Sequence, residues 1–267
     1  CKEVSKFTNS DEILGGRVKT LHPKIYSGIL NKRKNKVHQN EMKKNNFEDI
    51  DLVIVNFYPF ENILKKSKKH SDIIENIDIG GPAIARAAAK NYDDVAVITN
   101  IDQYEDLINE IKKNKGHTSL NFRQKMSEQA FMETSYYDAV ISEYFNKKSK
   151  NLFPSKKIIF GRLKDNLRYG ENPHQQAAIY SKNNNQIVNQ LHGKKLSYNN
   201  YNDIFYAISI SRNFPKNVGT TIVKHANPCG VSINKNKIES FKEALACDPI
   251  SAFGGVLSCN FKINKKL

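Results

Sequence analysis

The chain has 267 residues, of which 39% are hydrophobic and 26% charged, a composition typical of globular proteins with a buried core. No apolar run approaches the roughly 18 residues that a membrane-spanning helix needs, which argues against a helical membrane protein. The four cysteines are too few and too scattered for a disulfide framework, and they favour a reducing, cytoplasmic location.

The formal net charge of +15 is the unusual bulk property, and it leaves two interpretations open. It fits an anionic partner, either a nucleic acid or a phosphorylated metabolite. The basic clusters at 31–36, 65–69 and 147–150, however, lack the interleaved aromatic residues of a stacking platform. A solvated basic surface is therefore favoured over specific nucleic-acid binding.

In the first half of the chain, the hydrophobic pattern predicts an α/β fold with a parallel sheet. Segments 50–56 and 94–99 are short, nearly continuous apolar runs, as expected of strands that are covered on both faces. Segments 71–77 and 82–90 lie between them and are compatible with helices. Because strands and helices alternate here, we expect crossover helices between parallel strands. Further helices are predicted at 101–112 and 119–145.

The polar segment 147–157, which contains Pro154, is predicted to separate two domains, residues 1–150 and 151–267. After this boundary the pattern predicts, in chain order, a strand at 158–160, a loop rich in Gly, Asn and Pro, a helix at 202–213, a strand at 220–225, a turn at 227–230, a helix at 238–246 and a strand at 255–258.

Three segments of the first domain are candidates for a binding site. Arg17 and Lys19 follow two glycines, and two cations on one side of such a loop suit a phosphate or a polarised carbonyl. Asn56 and Tyr58 lie at the carboxyl end of a predicted strand, where ligands bind in open α/β sheets. An ordinary basic loop and a Tyr at the edge of the core are the alternatives.

The third of these segments contains Asp78, the Gly80–Gly81 pair and the helix that ends at Lys90. Two glycines before a Pro at the start of a helix leave backbone N–H groups free to face an anion. A carboxylate just before that turn can serve as a base or orient another group. A purely structural Gly-Gly turn is the alternative.

The second domain contains two further candidate segments. Arg168 and Tyr169 lie in a loop rich in hydrogen-bonding groups, which is typical of binding loops. Lys224 and His225 are adjacent at a strand end and offer an electrophile and a base. A zinc deaminase would require a Glu two residues after His225 and a second Cys three residues after Cys229, and both are missing. We therefore predict no metal.

Taken together, seven blocks resemble the hallmark motifs of the bifunctional aminoimidazole carboxamide ribonucleotide transformylase and inosine monophosphate cyclohydrolase family. They occur in the family's order and approximate spacing from about Ile13 onward, and seven ordered blocks are highly specific. The blocks are GGRVKTLHPKI, NFYPF, NIDIGGPAIARAAAKN, LRYGENPHQ, GKKLSYNN, VKHANPCG and ALACDPISAFGGV.

The resemblance implies a methylglyoxal-synthase-like parallel-sheet domain followed by part of a cytidine-deaminase-like transformylase domain without zinc. It implies the final two steps of purine biosynthesis, with 10-formyltetrahydrofolate as co-substrate. The ring-closing roles that it implies fall on Lys19, Tyr58, Asp78 and Lys90, with nucleotide binding by Arg17, Asn56, Gly80 and Gly81. For formyl transfer it implies Lys224 and His225 as catalytic residues and Arg168 and Tyr169 as nucleotide ligands.

The family normally has a first strand and a phosphate-binding glycine turn before the first block, and further transformylase elements after the last one. We therefore expect a fragment that is truncated at both ends. The resemblance does not imply that this fragment is active by itself. Family members form homodimers, so we expect a homodimer in the intact enzyme. A non-catalytic phosphate-sensing module and a nucleic-acid-binding protein are the competing hypotheses.

Overall fold

The computed structural model describes residues 1–150, 152–182 and 188–263, and the chain divides into two compact units, Cys1–Ile159 and Phe160–Leu267. The predicted boundary between domains after residue 150 lies a few residues before this division, and the domain limits stay a prediction. Within the predicted second domain, residues 151, 183–187 and 264–267 lie outside the described residues.

The first unit contains two short strands among eight helices in its described residues. In chain order these are α1 (Val4–Thr8), α2 (Pro23–Leu30), α3 (Lys36–Asn45), β1 (Leu52–Ile54), α4 (Phe60–Lys66), α5 (His70–Glu75), α6 (Gly80–Lys90), β2 (Ala96–Ile98), α7 (Tyr104–Lys113) and α8 (Leu120–Ser149). Short 3-10 helices at Leu14–Gly16 and Ile101–Gln103 precede α2 and α7.

The two strands of the first unit pair in parallel, with Val53 opposite Val97, which confirms the parallel sheet that the sequence predicts. The connection from β1 to β2 contains α4, α5 and α6, as crossover geometry requires. Alanines on α6 and apolar residues of β2 are fully buried in one core with Ile29 and Met126. Small side chains on α6 let this helix approach its neighbours closely, and this places its first turn beside the end of β1.

The second unit combines a hairpin and a three-stranded antiparallel sheet with helices. In chain order its elements are β3 (Arg162–Asn166), β4 (Ala178–Ser181), α9 (Tyr198–Ser211), β5 (Gly219–Lys224), β6 (Asn227–Ile233), α10 (Lys237–Cys247), α11 (Pro249–Ala252) and β7 (Val256–Cys259). Strands β3 and β4 pair with each other, while β5 lies between β6 and β7.

Two predictions for the second unit are wrong. The strand predicted at 158–160 is absent, and β3 begins only at Arg162; Ile159 is 92% exposed and packs into no sheet. The predicted turn at 227–230 lies within β6, and the chain instead turns at His225 and Ala226. Pro228 is tolerated because β6 is an edge strand and the register shifts beside it, so no ladder N–H is lost from a central strand.

None of the helices in the described residues combines the length and the hydrophobicity that crossing a lipid bilayer requires.

Candidate functional site

A cleft of about 640 Å³ opens in the first unit at the carboxyl end of β1 and the first turn of α6. This is the end of a parallel sheet at which ligands usually bind. The predicted site residues that line the cleft are Arg17, Lys19, Asn56, Tyr58, Asp78, Gly80 and Gly81. Three segments that are distant in sequence therefore contribute their predicted residues to one cleft.

Asp78 is held in the cleft by backbone donors from two of these segments. The Tyr58 N–H donates to Asp78 Oδ2 at 3.2 Å, and the Gly81 N–H donates to Asp78 Oδ1 at 2.8 Å. A Cβ at residue 81 would crowd the Asp78 carboxylate, so a larger residue there would force that side chain to shift. The carboxylate thus occupies the start of α6, where the helix dipole favours negative charge.

This arrangement changes the expected role of the Gly80–Gly81 turn. The Gly81 N–H, predicted to face a bound anion, is already engaged by Asp78. The cationic side chains of the lining are Arg17 and Lys19. A phosphate would therefore interact more favourably with these two side chains than with the N-terminus of α6.

Both of these cations are paired with carboxylates in the structure. Arg17 forms a two-pronged ion pair with Glu75, with 3.1 Å between Arg17 Nε and Glu75 Oε1. Lys19 Nζ lies 2.9 Å from Glu12 Oε2. Hydrogen bonding to Glu75 raises the pKa of Arg17, and the same contact lowers the pKa of Glu75. Hydrogen bonding to Glu12 raises the pKa of Lys19, so both cations keep their charge.

Tyr58 and Asn56 are solvent-exposed residues of the cleft lining. The Tyr58 side chain is 56% exposed, so its hydroxyl is accessible to a ligand. Asn56 Nδ2 donates to Tyr104 OH at 3.2 Å, which orients its amide. The exposed Tyr58 does not match the alternative interpretation of a residue packed at the edge of the core.

Lys90 does not join this group. It is the last residue of α6, exposed to solvent, and not part of the cleft lining. An α-helix rises about 1.5 Å per residue, so Lys90 is roughly 15 Å along the axis from Gly80. Three of the four predicted ring-closing side chains therefore meet in the cleft and Lys90 lies apart from them.

Tyr137 on α8 contacts the candidate site from behind Asp78 without lining the cleft. The sequence pattern does not indicate this contact, since Tyr137 is one apolar position of a long predicted helix. Its hydroxyl accepts the Asp78 N–H at 2.8 Å, and its ring packs edge-on against Phe57 and Phe60. Burial raises its pKa, which keeps the phenol neutral. Tyr137 therefore links the segment around Tyr58 to the turn that carries Asp78.

In the second unit, Arg168 and Tyr169 form a stacked pair. Arg168 Nη2 donates to Tyr169 OH at 3.2 Å, and the guanidinium carbon lies 4.9 Å from the centre of the Tyr169 ring. Hydrogen bonds with Ser197 and then Arg168 lower the pKa of Tyr169. The Tyr198 N–H donates to Tyr169 O at 3.2 Å, so the pair is anchored at the start of α9.

Lys224 ends β5, and His225 begins the turn that follows. Lys224 Nζ donates to Phe253 O at 2.8 Å, whereas the His225 side chain is exposed. The Ala226 N–H donates to Oδ1 of Asp203 on α9 at 2.8 Å. Tyr169 and the turn that contains His225 are thus each hydrogen-bonded to the first half of α9, at Tyr198 and Asp203.

No metal cluster is formed by the His, Cys, Asp and Glu side chains in the part of the chain that the structure describes. Cys229, the residue considered for zinc, directs its Sγ to Ile222 O at 3.5 Å.

Two family profiles match the chain. Residues 1–83 match one described as MGS-like domain, and residues 88–267 match one described as AICARFT/IMPCHase bienzyme. The limit between these matches lies within the first compact unit, at α6.

Curated relatives show the same similarity. The chain is 45% identical over 265 residues to the "Bifunctional purine biosynthesis protein PurH" of Bradyrhizobium diazoefficiens, covering 97% of this chain and 50% of that protein. It is 46% identical over 275 residues to the protein of the same name from Prochlorococcus marinus, covering 99% of this chain and 53% of that protein. A structure titled "Crystal structure of ForH" is 32% identical, with a TM-score of 0.45, and covers 53% of this chain and 74% of that one. The chain therefore spans about half the length of the curated relatives that it matches.

Proposed function

The chain belongs to the AICARFT/IMPCHase bienzyme family, and from this premise we propose that the whole protein catalyses the last two steps of purine biosynthesis. These are the transfer of a formyl group to aminoimidazole carboxamide ribonucleotide and closure of the ring to inosine monophosphate. The observation that supports the proposal most strongly is the common cleft, in which motif residues from three distant segments meet.

Ring closure is assigned to the cleft of the first unit. The carboxamide nitrogen bonds to the formyl carbon and loses one proton. The formamide nitrogen loses a second proton as its double bond to that carbon forms, and the former formyl oxygen leaves with both protons as water. An amide nitrogen is a poor nucleophile, so the formyl group has to be polarised. Lys19 and Tyr58 are suited to stabilise negative charge on its oxygen, and Asp78 to accept or orient the proton. The role of Lys90 rests on the family resemblance alone, because it lies outside this cleft.

Substrate binding in this cleft requires an exchange of partners. A nucleotide phosphate that binds Arg17 and Lys19 has to displace the carboxylates of Glu75 and Glu12. Both ion pairs are exposed, so the exchange costs little. Asn56 and the glycine turn would contact the rest of the nucleotide.

Formyl transfer is assigned to the second unit. The 5-amino nitrogen bonds to the formyl carbon of 10-formyltetrahydrofolate, the bond from that carbon to N10 breaks, and N10 takes up a proton. His225 would accept the proton of the attacking amine, and Lys224 would polarise the formyl oxygen. Lys224 donates to Phe253 O in the structure, so it would exchange that carbonyl for the substrate. Arg168 and Tyr169 would hold the ribonucleotide.

We further propose that the intact enzyme is a cytoplasmic homodimer that uses the folate as co-substrate and no metal. The folate and the nucleotides follow from the family, and the scattered cysteines support the location.

The experiment that tests the proposal uses the full-length protein from which this sequence comes. Purified protein is incubated with 10-formyltetrahydrofolate and aminoimidazole carboxamide ribonucleotide, while tetrahydrofolate and inosine monophosphate are measured. We expect both products to appear. Nucleotide binding without turnover would contradict the proposal and favour a phosphate-sensing module.

A further inference from the structure

The turn that carries His225 has a backbone conformation that its own residues disfavour. Lys224 and Asn227 pair across the ends of β5 and β6, so His225 and Ala226 form a two-residue hairpin turn. Their φ angles are 53° and 62°. Two-residue turns with positive φ at both positions strongly prefer Asn-Gly or similar pairs, because a Cβ is crowded there. A His-Ala pair therefore needs support from outside the turn.

That support comes from side chains on both sides of the turn. Oδ1 of Asp203, on α9, accepts the Ala226 N–H at 2.8 Å, although the two residues are 23 positions apart in the chain. Asp203 is only 8% exposed, which is unusual for a carboxylate unless it is bonded. On the other side, Asn227 Nδ2 donates to His225 O at 2.9 Å.

We infer that Asp203 is a positioning residue for formyl transfer, acting through the backbone turn that aims His225. This inference rests on the proposed function of the second unit. Asp203 contacts the turn and not the reacting atoms, so it affects the rate by fixing the location of the base. Catalysis by a positioned base is sensitive to small displacements, whereas nucleotide binding by Arg168 and Tyr169 depends on other contacts.

The first test compares Asp203→Ala and Asp203→Asn in the full-length protein. For Asp203→Ala we expect kcat of formyl transfer to fall about 10- to 100-fold, equivalent to about 1.4 to 2.7 kcal/mol, with little change in KM for the nucleotide. Asparagine keeps an oxygen acceptor for the Ala226 N–H, so Asp203→Asn should retain most of the activity. Asn202→Ala, at the neighbouring position of α9, is the matched control and should behave as wild type.

A rescue experiment separates positioning from general stability. Glycine adopts positive φ without crowding, so Ala226→Gly in the Asp203→Ala background should recover part of the lost kcat. Ring closure in the same protein serves as an internal control, because Asp203 belongs to the second unit. The exchange rate of the Ala226 amide hydrogen, measured by hydrogen–deuterium exchange, should increase in Asp203→Ala and stay low in Asp203→Asn.

The outcomes distinguish this inference from the proposed function. A wild-type protein without formyl transfer would overturn the proposed function, and the role of Asp203 with it. Wild-type activity together with an unaffected Asp203→Ala would overturn the role of Asp203 alone. Equal losses in the Ala and Asn variants, with a lowered melting temperature and no recovery from Ala226→Gly, would also overturn it, since they indicate a merely structural residue.

Discussion

Single side chains in the first cleft are oriented mainly by hydrogen bonds to the backbone and by exposed ion pairs. Asp78 accepts two backbone N–H groups, and its own N–H is accepted by Tyr137. Arg17, in contrast, is held by the exposed carboxylate of Glu75. Backbone donors provide a fixed geometry, whereas exposed ion pairs rearrange readily. The side chain that we propose for proton transfer, Asp78, is therefore held firmly, and the one that we propose for phosphate binding, Arg17, can exchange its partner.

Tyr137→Phe should reduce ring closure without affecting formyl transfer. The variant keeps the ring packing but removes the acceptor of the Asp78 N–H, which should destabilise the protein by about 1 kcal/mol and lower kcat of ring closure several-fold. Both activities are measured by steady-state kinetics in the full-length protein. Tyr144→Phe is the control, because its hydroxyl on the same helix bonds to His70 instead. Equal effects of the two variants would contradict the role of Tyr137.

Glu75→Gln should strengthen nucleotide binding, because it removes the carboxylate that competes for Arg17. The gain should be no more than about fivefold and should shrink with added salt, since exposed ion pairs are weak and screened. Titration of the full-length protein with inosine monophosphate measures this change in affinity. Asp72→Asn makes the same charge change on the same helix, but Asp72 pairs with Lys69 and should leave the affinity unchanged. Weaker binding by Glu75→Gln would show that the carboxylate assists the ligand.

Among the secondary-structure elements, the packing of α10 on β6 holds the sheet that carries Lys224 and His225. Gly230 of β6 lies directly against the backbone of Ala244 on α10. Glu243 of the same helix accepts hydrogen bonds from Ser232 and Asn234 at the end of β6. The close approach and these bonds together fix the hairpin that ends in the His225 turn.

Gly230→Ala should destabilise this packing, because the new Cβ would overlap the carbonyl oxygen of Ala244. Overpacking of this kind costs about 1 to 3 kcal/mol, which chemical denaturation of the full-length protein would measure. The rate of formyl transfer should fall together with the stability of the second unit, while the rate of ring closure should be unchanged. Val231→Ala, at the next position of the strand, should have a smaller effect; a Gly230→Ala variant as stable as wild type would exclude the close contact.

Glu243 should make the stability of the second unit depend on pH. Hydrogen bonds from Ser232 and Asn234 lower the pKa of Glu243 below its ordinary value. Its contribution is therefore present above the pKa of the unfolded chain and is lost as the pH falls through the depressed pKa of the folded state. Melting temperatures of wild type and Glu243→Gln should differ slightly at neutral pH and converge in acid. A difference that grew in acid would contradict this sign.

For the molecule as a whole, the two compact units contain different candidate sites. The cleft proposed for ring closure is formed within Cys1–Ile159, and the residues predicted for formyl transfer lie within Phe160–Leu267. The net charge of +15 is spread along the chain, and the nucleic-acid hypothesis stays open as the alternative to a basic surface. Two separate sites should give two separable activities.

Lys19→Ala and His225→Ala should therefore have opposite effects in the full-length protein. Lys19→Ala should abolish ring closure and spare formyl transfer, since Lys19 lines the first cleft. His225→Ala should abolish formyl transfer and spare ring closure when the formylated intermediate is supplied. Circular dichroism checks that both variants remain folded. Loss of both activities in either folded variant would show that the assignment to two sites is wrong.

The sequence by itself determines most elements and the family of this protein. The apolar runs predict β1, β2 and β5, and the helical pattern predicts α6 and α8, because burial on a sheet or along a helix face imposes a local periodicity. The predictions of a strand at 158–160 and of a turn at 227–230 are wrong. In both places the pairing between strands, rather than the preference of the local residues, decides where the strand begins and where the chain turns.

The tertiary structure alone decides which side chains act together. Tyr137 reaches Asp78 across 59 residues, Glu75 reaches Arg17 across 58, and Asp203 reaches the His225 turn across 23. Contacts at such separations leave no periodic trace in the chain, because they depend on how packed elements meet rather than on the preferences of neighbouring residues. For the same reason the motif predicts that Lys90 belongs to the cleft, whereas the structure places Lys90 outside the cleft lining. Lys90 ends α6, and the length of this helix separates it from the cleft at the first turn.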